Sequence, residues 1–276
     1  MNLSRTDLAV ETAEALPTGR DMFAPGTGVT KSECLLCGCP VTRIHVRTPA
    51  GARAIGKPEG RYITIDLRPA LSRQEALTGR AALCLCRELR ALLPPPSDGP
   101  ALVVGLGNDA MTPDAVGAAA LEHLLVTRHM VRSMPRQFGA LTPVAALATG
   151  VLARTGDRLH PSVVIAIDAL AARSRHRLCA TVQLGDTGLI PGSGVGNHRK
   201  AVNARTLGVP VIALGVPTVI DGAALCGDED APPSGLFVTP QDIDRRVREL
   251  GRLIGYGVTL ALQPGLTPED AAALLG

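Results

Sequence analysis

Beyond residue 100 the chain falls into short, wholly apolar runs at 101–106, 163–167 and 209–214, each closed by glycine or a polar residue and separated by helix-length segments. Runs of five or six residues rich in Val and Ile are too short for buried helices and read as strands covered on both faces. Their alternation with helical segments predicts an α/β fold, a twisted mixed sheet flanked by helices. Ahead of them, 41–46 and 62–67 also read as strands, with Gly51, Gly56, Pro58 and Gly60 marking the turns. A helix is expected over 74–93, stopped by the stiff run Pro94-Pro95-Pro96-Ser97-Asp98-Gly99-Pro100. We expect one domain over 1–276, with a β-rich part at 8–100 and an α/β core at 101–276.

Composition narrows the function. At 46% hydrophobic with no Trp, two Tyr and three Phe, the core must be aliphatic. A formal charge of +3, without basic blocks interleaved with aromatics, argues against nucleic acid as a partner. Arg5, Asp7, Glu11 and Glu14 interrupt the apolar positions of the start, so no signal peptide is expected there, and no stretch has the length of a membrane span. A cytoplasmic protein with reduced cysteines follows. Cys34, Cys37 and Cys39 with Cys84 and Cys86 could offer thiolates to zinc, but the spacing matches no known finger, and free thiols are the preferred reading. No metal or cofactor is expected: the six histidines lack ligand spacing and no H-E-x-x-H occurs.

Ligands of open α/β sheets gather beyond the carboxyl ends of the strands. Three such ends carry polar residues: Asn108 to Asp114, Asp168, and Thr218 with Asp221. Thr112-Pro113-Asp114 reads as a helix start with Thr as N-cap, which would lower the Asp114 pKa. Asp168 follows five apolar residues, and desolvation there would raise its pKa. One ionised and one protonated carboxyl are what acid/base hydrolysis of an amide requires. Taken singly, each is better explained as a dipole complement or a turn residue.

The densest glycine cluster, with Gly192, Ser193, Gly194 and Asn197, lacks the spacing of a phosphate loop and suits a turn lining a peptide cleft. Arg173, Arg175, Arg177, Arg199 and Lys200 flank it and would favour an acidic substrate. A helix opening at Thr239-Pro240 would place Ile243, Val247, Leu250, Ile254 and Val258 on one face, weakened by Gly251, Gly255 and Gly257.

These segments resemble the germination protease family of spore-forming bacteria. The resemblance is carried by Arg5-Thr6-Asp7-Leu8-Ala9-Val10-Glu11, Ile55-Gly56-Lys57-Pro58, Gly105-Leu106-Gly107-Asn108 with Thr112-Pro113-Asp114-Ala115, Ile165-Ala166-Ile167-Asp168-Ala169-Leu170-Ala171, Asp186-Thr187-Gly188, the cluster at 191–197, and Gly215-Val216-Pro217-Thr218-Val219. It implies a fold like that of hydrogenase-maturation proteases, a catalytic pair at Asp114 and Asp168, and a homotetramer. It further implies small acid-soluble spore proteins as substrate and a zymogen that loses residues 1–7 by a cut between Asp7 and Leu8. The chain departs from the family in a shortened stretch after Asp221, in its cysteines near Cys34, in Ala118 where proline is usual, and past Thr155-Gly156. Two other readings are a metal-dependent maturation protease using the same carboxylates, and a non-catalytic binder of acidic peptides.

Overall fold

A computed structural model describes residues 6–14, 23, 26–73, 76–148, 159–193, 200–225 and 234–275. The strands found among them, β1 (Val29–Leu36), β2 (Cys39–Val46), β3 (Gly60–Asp66), β4 (Ala101–Gly105), β5 (Val144–Ala148), β6 (Val163–Ala172), β7 (Thr181–Gly185), β8 (Val211–Asp221) and β9 (Phe237–Val238), form one sheet. Its order is β1-β2-β3-β7-β8-β6-β4-β5, with β9 on the far end of β8. The pairs β4–β5, β4–β6 and β6–β8 are parallel and the others antiparallel, so the sheet is mixed, as expected. β1, β5, β7 and β9 are not among the expected strands: Lys31, Glu33 and Gln183 blur the period of β1 and β7, β5 is mostly alanine, and β9 has only two residues.

One face of the sheet is covered by three helices, α3 (Arg80–Leu92), α4 (Val116–Glu122) and α5 (Ile243–Leu262), counting α1 (Ala9–Glu14) and α2 (Pro49–Ile55) earlier in the chain. Val103, Ile165, Ile167, Leu184, Ile212 and Leu214 face them in an aliphatic core. α5 runs through the middle and is buried along most of its length. It begins at Ile243 after Asp242, not at Thr239, whose hydroxyl instead donates to the Thr218 carbonyl at 2.8 Å. The opposite face carries smaller clusters, and the N-terminal segment packs there through Leu8, Ala9 and Val10. Among the described residues no helix is long and apolar enough to cross a membrane.

Two sequence expectations need correction. Thr112 caps nothing: Thr112–Asp114 is a single 3-10 turn, and α4 starts two residues later at Val116. Asp168, Thr218 and Asp221 do not follow strand ends but lie within β6 and β8. Those two strands pair from Val164↔Val211 to Ala172↔Ile220 and satisfy each other well past the point where their neighbour stops. β4 ends at Gly105, opposite Ile167, so from Asp168 onward one edge of β6 is left open.

Candidate active site

That open edge makes the site. The side chain of Asp168 stands at the first position past the end of β4, only 5% exposed, on the face away from the long helices. β4 continues into Leu106, whose N–H donates to the Ile167 carbonyl at 2.8 Å, and the chain then doubles back over Gly107 into the turn holding Asp114. Gly107 has φ +99°, and a Cβ on it would lie 2.0 Å from the Asp114 carbonyl oxygen, so only glycine permits this approach. The half-buried Asp114 carboxylate accepts the Asn108 N–H at 2.8 Å, while the Asn108 side chain accepts from Ala110 N–H. Asp114 and Asp168 line one cavity of about 430 Å³. Asn108, Gly192 and Thr218 line it too.

Thr218 reaches the cavity through a bulge. Leu170 pairs with Pro217 and Ala171 with Val219, so Thr218 is the extra residue of β8, re-aimed as bulges re-aim side chains. Its hydroxyl is fully buried and has no hydrogen-bond partner among the described residues.

The same cavity is bounded by Asp7. The bend holding it docks on the open edge of β6: Asp7 N–H donates to the Ala171 carbonyl at 3.2 Å, and Ala171 N–H donates to the Asp7 carboxylate at 2.9 Å. Ser193 Oγ donates to the other carboxylate oxygen at 2.6 Å. Leu8 is fully buried. Beyond it Glu11, 4% exposed, accepts the N–H groups of Arg173 and Ser174 at 2.7 and 2.9 Å, fixing α1 to the end of β6.

On the far side of Asp7 lies a second cavity of about 340 Å³, also lined by Asp168. Here the sheet register matters. Asp168 pairs with Gly215 and Gly215 with Gln183, so all three point to one face, and the middle position is empty. A Cβ on Gly215 would meet Leu170 Cγ at 2.6 Å and the Asp168 carbonyl at 2.9 Å. Gln183 Nε2 donates to the Asp7 carbonyl oxygen at 2.9 Å, and Lys57 Nζ donates to the same oxygen at 3.1 Å. Burial draws the Lys57 pKa below the usual lysine value, opposed by the charges of Asp7 and Glu11. Lys57, Gln183 and Gly215 were not among the expected site residues. A lysine set between Gly56 and Pro58, and a glutamine interrupting an apolar strand, were the available signals.

Other expectations fall elsewhere. Gly194 and Asn197 lie outside the described residues, as do Arg199, Cys226 and Thr155-Gly156. Asp221 does not line the cavity; its carboxylate accepts from Ala223 N–H, Ser234 N–H and Ser234 Oγ. Arg177 is held by Glu14 at 2.7 Å, so it anchors α1 instead of facing an acidic ligand. Cys34 is exposed on β1 whereas Cys39 and Cys84 are buried together, and no group of three or more Cys, His, Asp or Glu among the described residues could hold a metal ion.

Comparison with known proteins gives the context. A sequence model described as germination protease matches residues 7–230. Germination proteases of Caldanaerobacter subterraneus and Clostridium perfringens are 36% and 34% identical, covering 98% and 96% of the chain and 98% and 97% of their own lengths. That of Bacillus subtilis is 40% identical over 97% of the chain and 76% of its own length. The first two alignments run to 321 and 316 positions against the 276 residues of the chain, so this is a compact member, as the short stretch after Asp221 suggested. A hydrogenase maturation protease, HycI from Thermococcus kodakarensis, is 17% identical with a TM-score of 0.35 over 62% of the chain and 98% of its own, a likeness too remote to decide anything. On the matched sequence model and on near-full-length relatives at these identities, the chain belongs to the germination protease family of peptidases.

Proposed function

We propose that the chain is an aspartate-type endopeptidase, that it begins the degradation of small acid-soluble spore proteins at germination, and that it trims itself between Asp7 and Leu8. The observation that carries this reading is the bend at Asp7, docked on the free edge of β6 by its N–H and its carboxylate and bounding the cavity that Asp114 and Asp168 share. A substrate peptide would add to β6 in the same manner, its main chain satisfied by the open edge and its side chains by the cavities on either side.

Asp114, partly exposed and accepting an N–H, is the carboxylate that takes a proton from water. Asp168, nearly sealed from solvent and accepting the Ala169 N–H at 3.0 Å, is the partner that donates to the departing nitrogen. If the pair shares one proton, it titrates as a unit and neither residue has a pKa of its own.

Asp114→Asn and Asp168→Asn are each expected to abolish both self-trimming and cleavage of an added spore protein, read as new N-termini by mass spectrometry. Trimming retained in both single variants rejects the dyad. Exhaustive chelation is expected to leave activity intact, and its loss would favour the metal-dependent alternative. Assembly as a homotetramer in the spore core belongs to the same proposal and is measured by sedimentation.

A further inference from the structure

The carbonyl oxygen of Asp7 is unusual among the backbone groups of the site in receiving two side-chain donors from distant parts of the chain. Gln183 reaches it from the middle of β7 and Lys57 from the turn after α2. Gln183 is itself oriented, because its Oε1 accepts the Ala9 N–H at 2.6 Å. Lys57 is directed by Gly56, whose left-handed conformation at φ 69° ends α2 and turns the chain towards the N-terminal segment. Between Gln183 and Asp168 the sheet carries no side chain, because Gly215 stands there with Leu170 packed over it. The amide on the other side of the same bond is also held, Leu8 N–H donating to Thr6 Oγ1 at 3.0 Å.

We propose that Lys57 and Gln183 form the oxyanion-stabilising pair of this protease, acting on the carbonyl of whichever peptide bond occupies the position of Asp7–Leu8. The inference rests on the aspartate reading above. Water adds to the Asp7 carbonyl carbon and gives its proton to Asp114, and the carbonyl π electrons move onto an oxygen already facing both donors. Collapse of that adduct breaks the carbon–nitrogen bond, and the Leu8 nitrogen takes the proton of Asp168. The products are a carboxyl at Asp7 and an amine at Leu8. The dyad polarises water on one side of the peptide and the Lys57–Gln183 pair takes up the developing charge on the other. Donors fixed before reaction stabilise such charge without reorganisation.

The competing explanation is that both side chains merely anchor the segment, and four measurements separate the two. Lys57→Met and Gln183→Met are each expected to slow self-trimming by about 10²–10³-fold, the usual loss for one oxyanion donor. Hydrogen exchange over residues 10–14 should stay slow in both, Ala9 being set aside because its N–H loses its acceptor in Gln183→Met, whereas loss of an anchor would accelerate the whole stretch. Added spore protein, tested once trimming is complete, should show reduced kcat with little change in KM. Finally, the groups around Lys57 are Asp7 and Glu11 on the N-terminal segment, Tyr62 on β3 and Asp168 on β6. Trimming should therefore decline as pH rises through the lowered Lys57 pKa, and Lys57→Arg, which keeps its charge, should lose that alkaline limb.

Unchanged trimming rates in both Met variants, with the two Asp→Asn variants inactive, overturn the donor assignment and leave the aspartate reading standing. Trimming in the Asp→Asn variants sinks the aspartate reading instead. Should Lys57→Met fail to fold, Gln183→Met still decides, because Gln183 is only half-buried and methionine preserves its length.

Discussion

Gly215 matters for the side chain it lacks. Alanine there would push against the Leu170 side chain and against the Asp168 carbonyl, a backbone atom that cannot swing away, and so would displace Asp168. Gly215→Ala is expected to lower kcat by about 10²-fold, the effect of displacing reacting groups by about 1 Å, with a smaller effect on the melting temperature. Gly107→Ala acts differently, because its positive φ and the Asp114 carbonyl at 2.0 Å from the added carbon both oppose it. We expect a stability loss of about 1–3 kcal/mol in denaturant titration, together with loss of activity. The cysteines divide by solvation. Burial raises the Cys86 thiol and pushes Cys179 up to about 12, and a hydrogen bond with Cys39, then burial, raises Cys84. Exposed Cys34 should therefore be alkylated first at about pH 8, with those three labelled only on unfolding, as peptide mapping would show.

The glycines of α5 look unfavourable in sequence and become intelligible in packing. A Cβ on Gly255 would lie 2.5 Å from the His123 carbonyl oxygen, and one on Gly251 would lie 2.7 Å from the Ala119 Cβ. Gly257 lies as close to Leu85. Each glycine lowers helix propensity by roughly 1 kcal/mol, and close approach to α3 and α4 offsets that loss. Gly255→Ala should thus destabilise the protein by about 1–3 kcal/mol through overpacking, although alanine is the better helix former. A rise in melting temperature would contradict this account. The amphipathic repeat of α5 was legible because burial against helices on one side imposes the helical period. The small turn at Thr112 was misread for the converse reason: a Thr-Pro-Asp sequence fits a helix start and a 3-10 turn equally, and the glycine contacts that favour the turn are not local.

At the scale of the whole molecule, the N-terminal segment is docked on the sheet that, on the proposed function, would cut it. Glu11 is the principal fastening, a buried carboxylate accepting Arg173 N–H, Ser174 N–H and the Thr6 hydroxyl, with Arg177 at 3.8 Å. Glu11→Ala leaves those donors without an acceptor and should cost about 1–3 kcal/mol for each that water cannot reach. The expected outcome is faster hydrogen exchange over 6–14 and slower self-trimming, while cleavage of an added substrate persists. Exchange unchanged in that variant would show that Leu8, Ala9 and Val10 hold the segment without it.

Sequence alone fixed the fold class, because apolar runs of that length and spacing have few other ways to be buried, and it located Asp114, Asp168 and Thr218 among the residues of one cavity. It did so while misplacing them relative to strand ends, since strand length depends on what each neighbour supplies and β6 outlasts β4. Lys57, Gln183 and Gly215 acquired meaning only in three dimensions. Hydrogen bonds from Lys57 and from Gln183 to one oxygen join positions 50 and 176 residues away from Asp7, and no local pattern encodes a partnership over such distances.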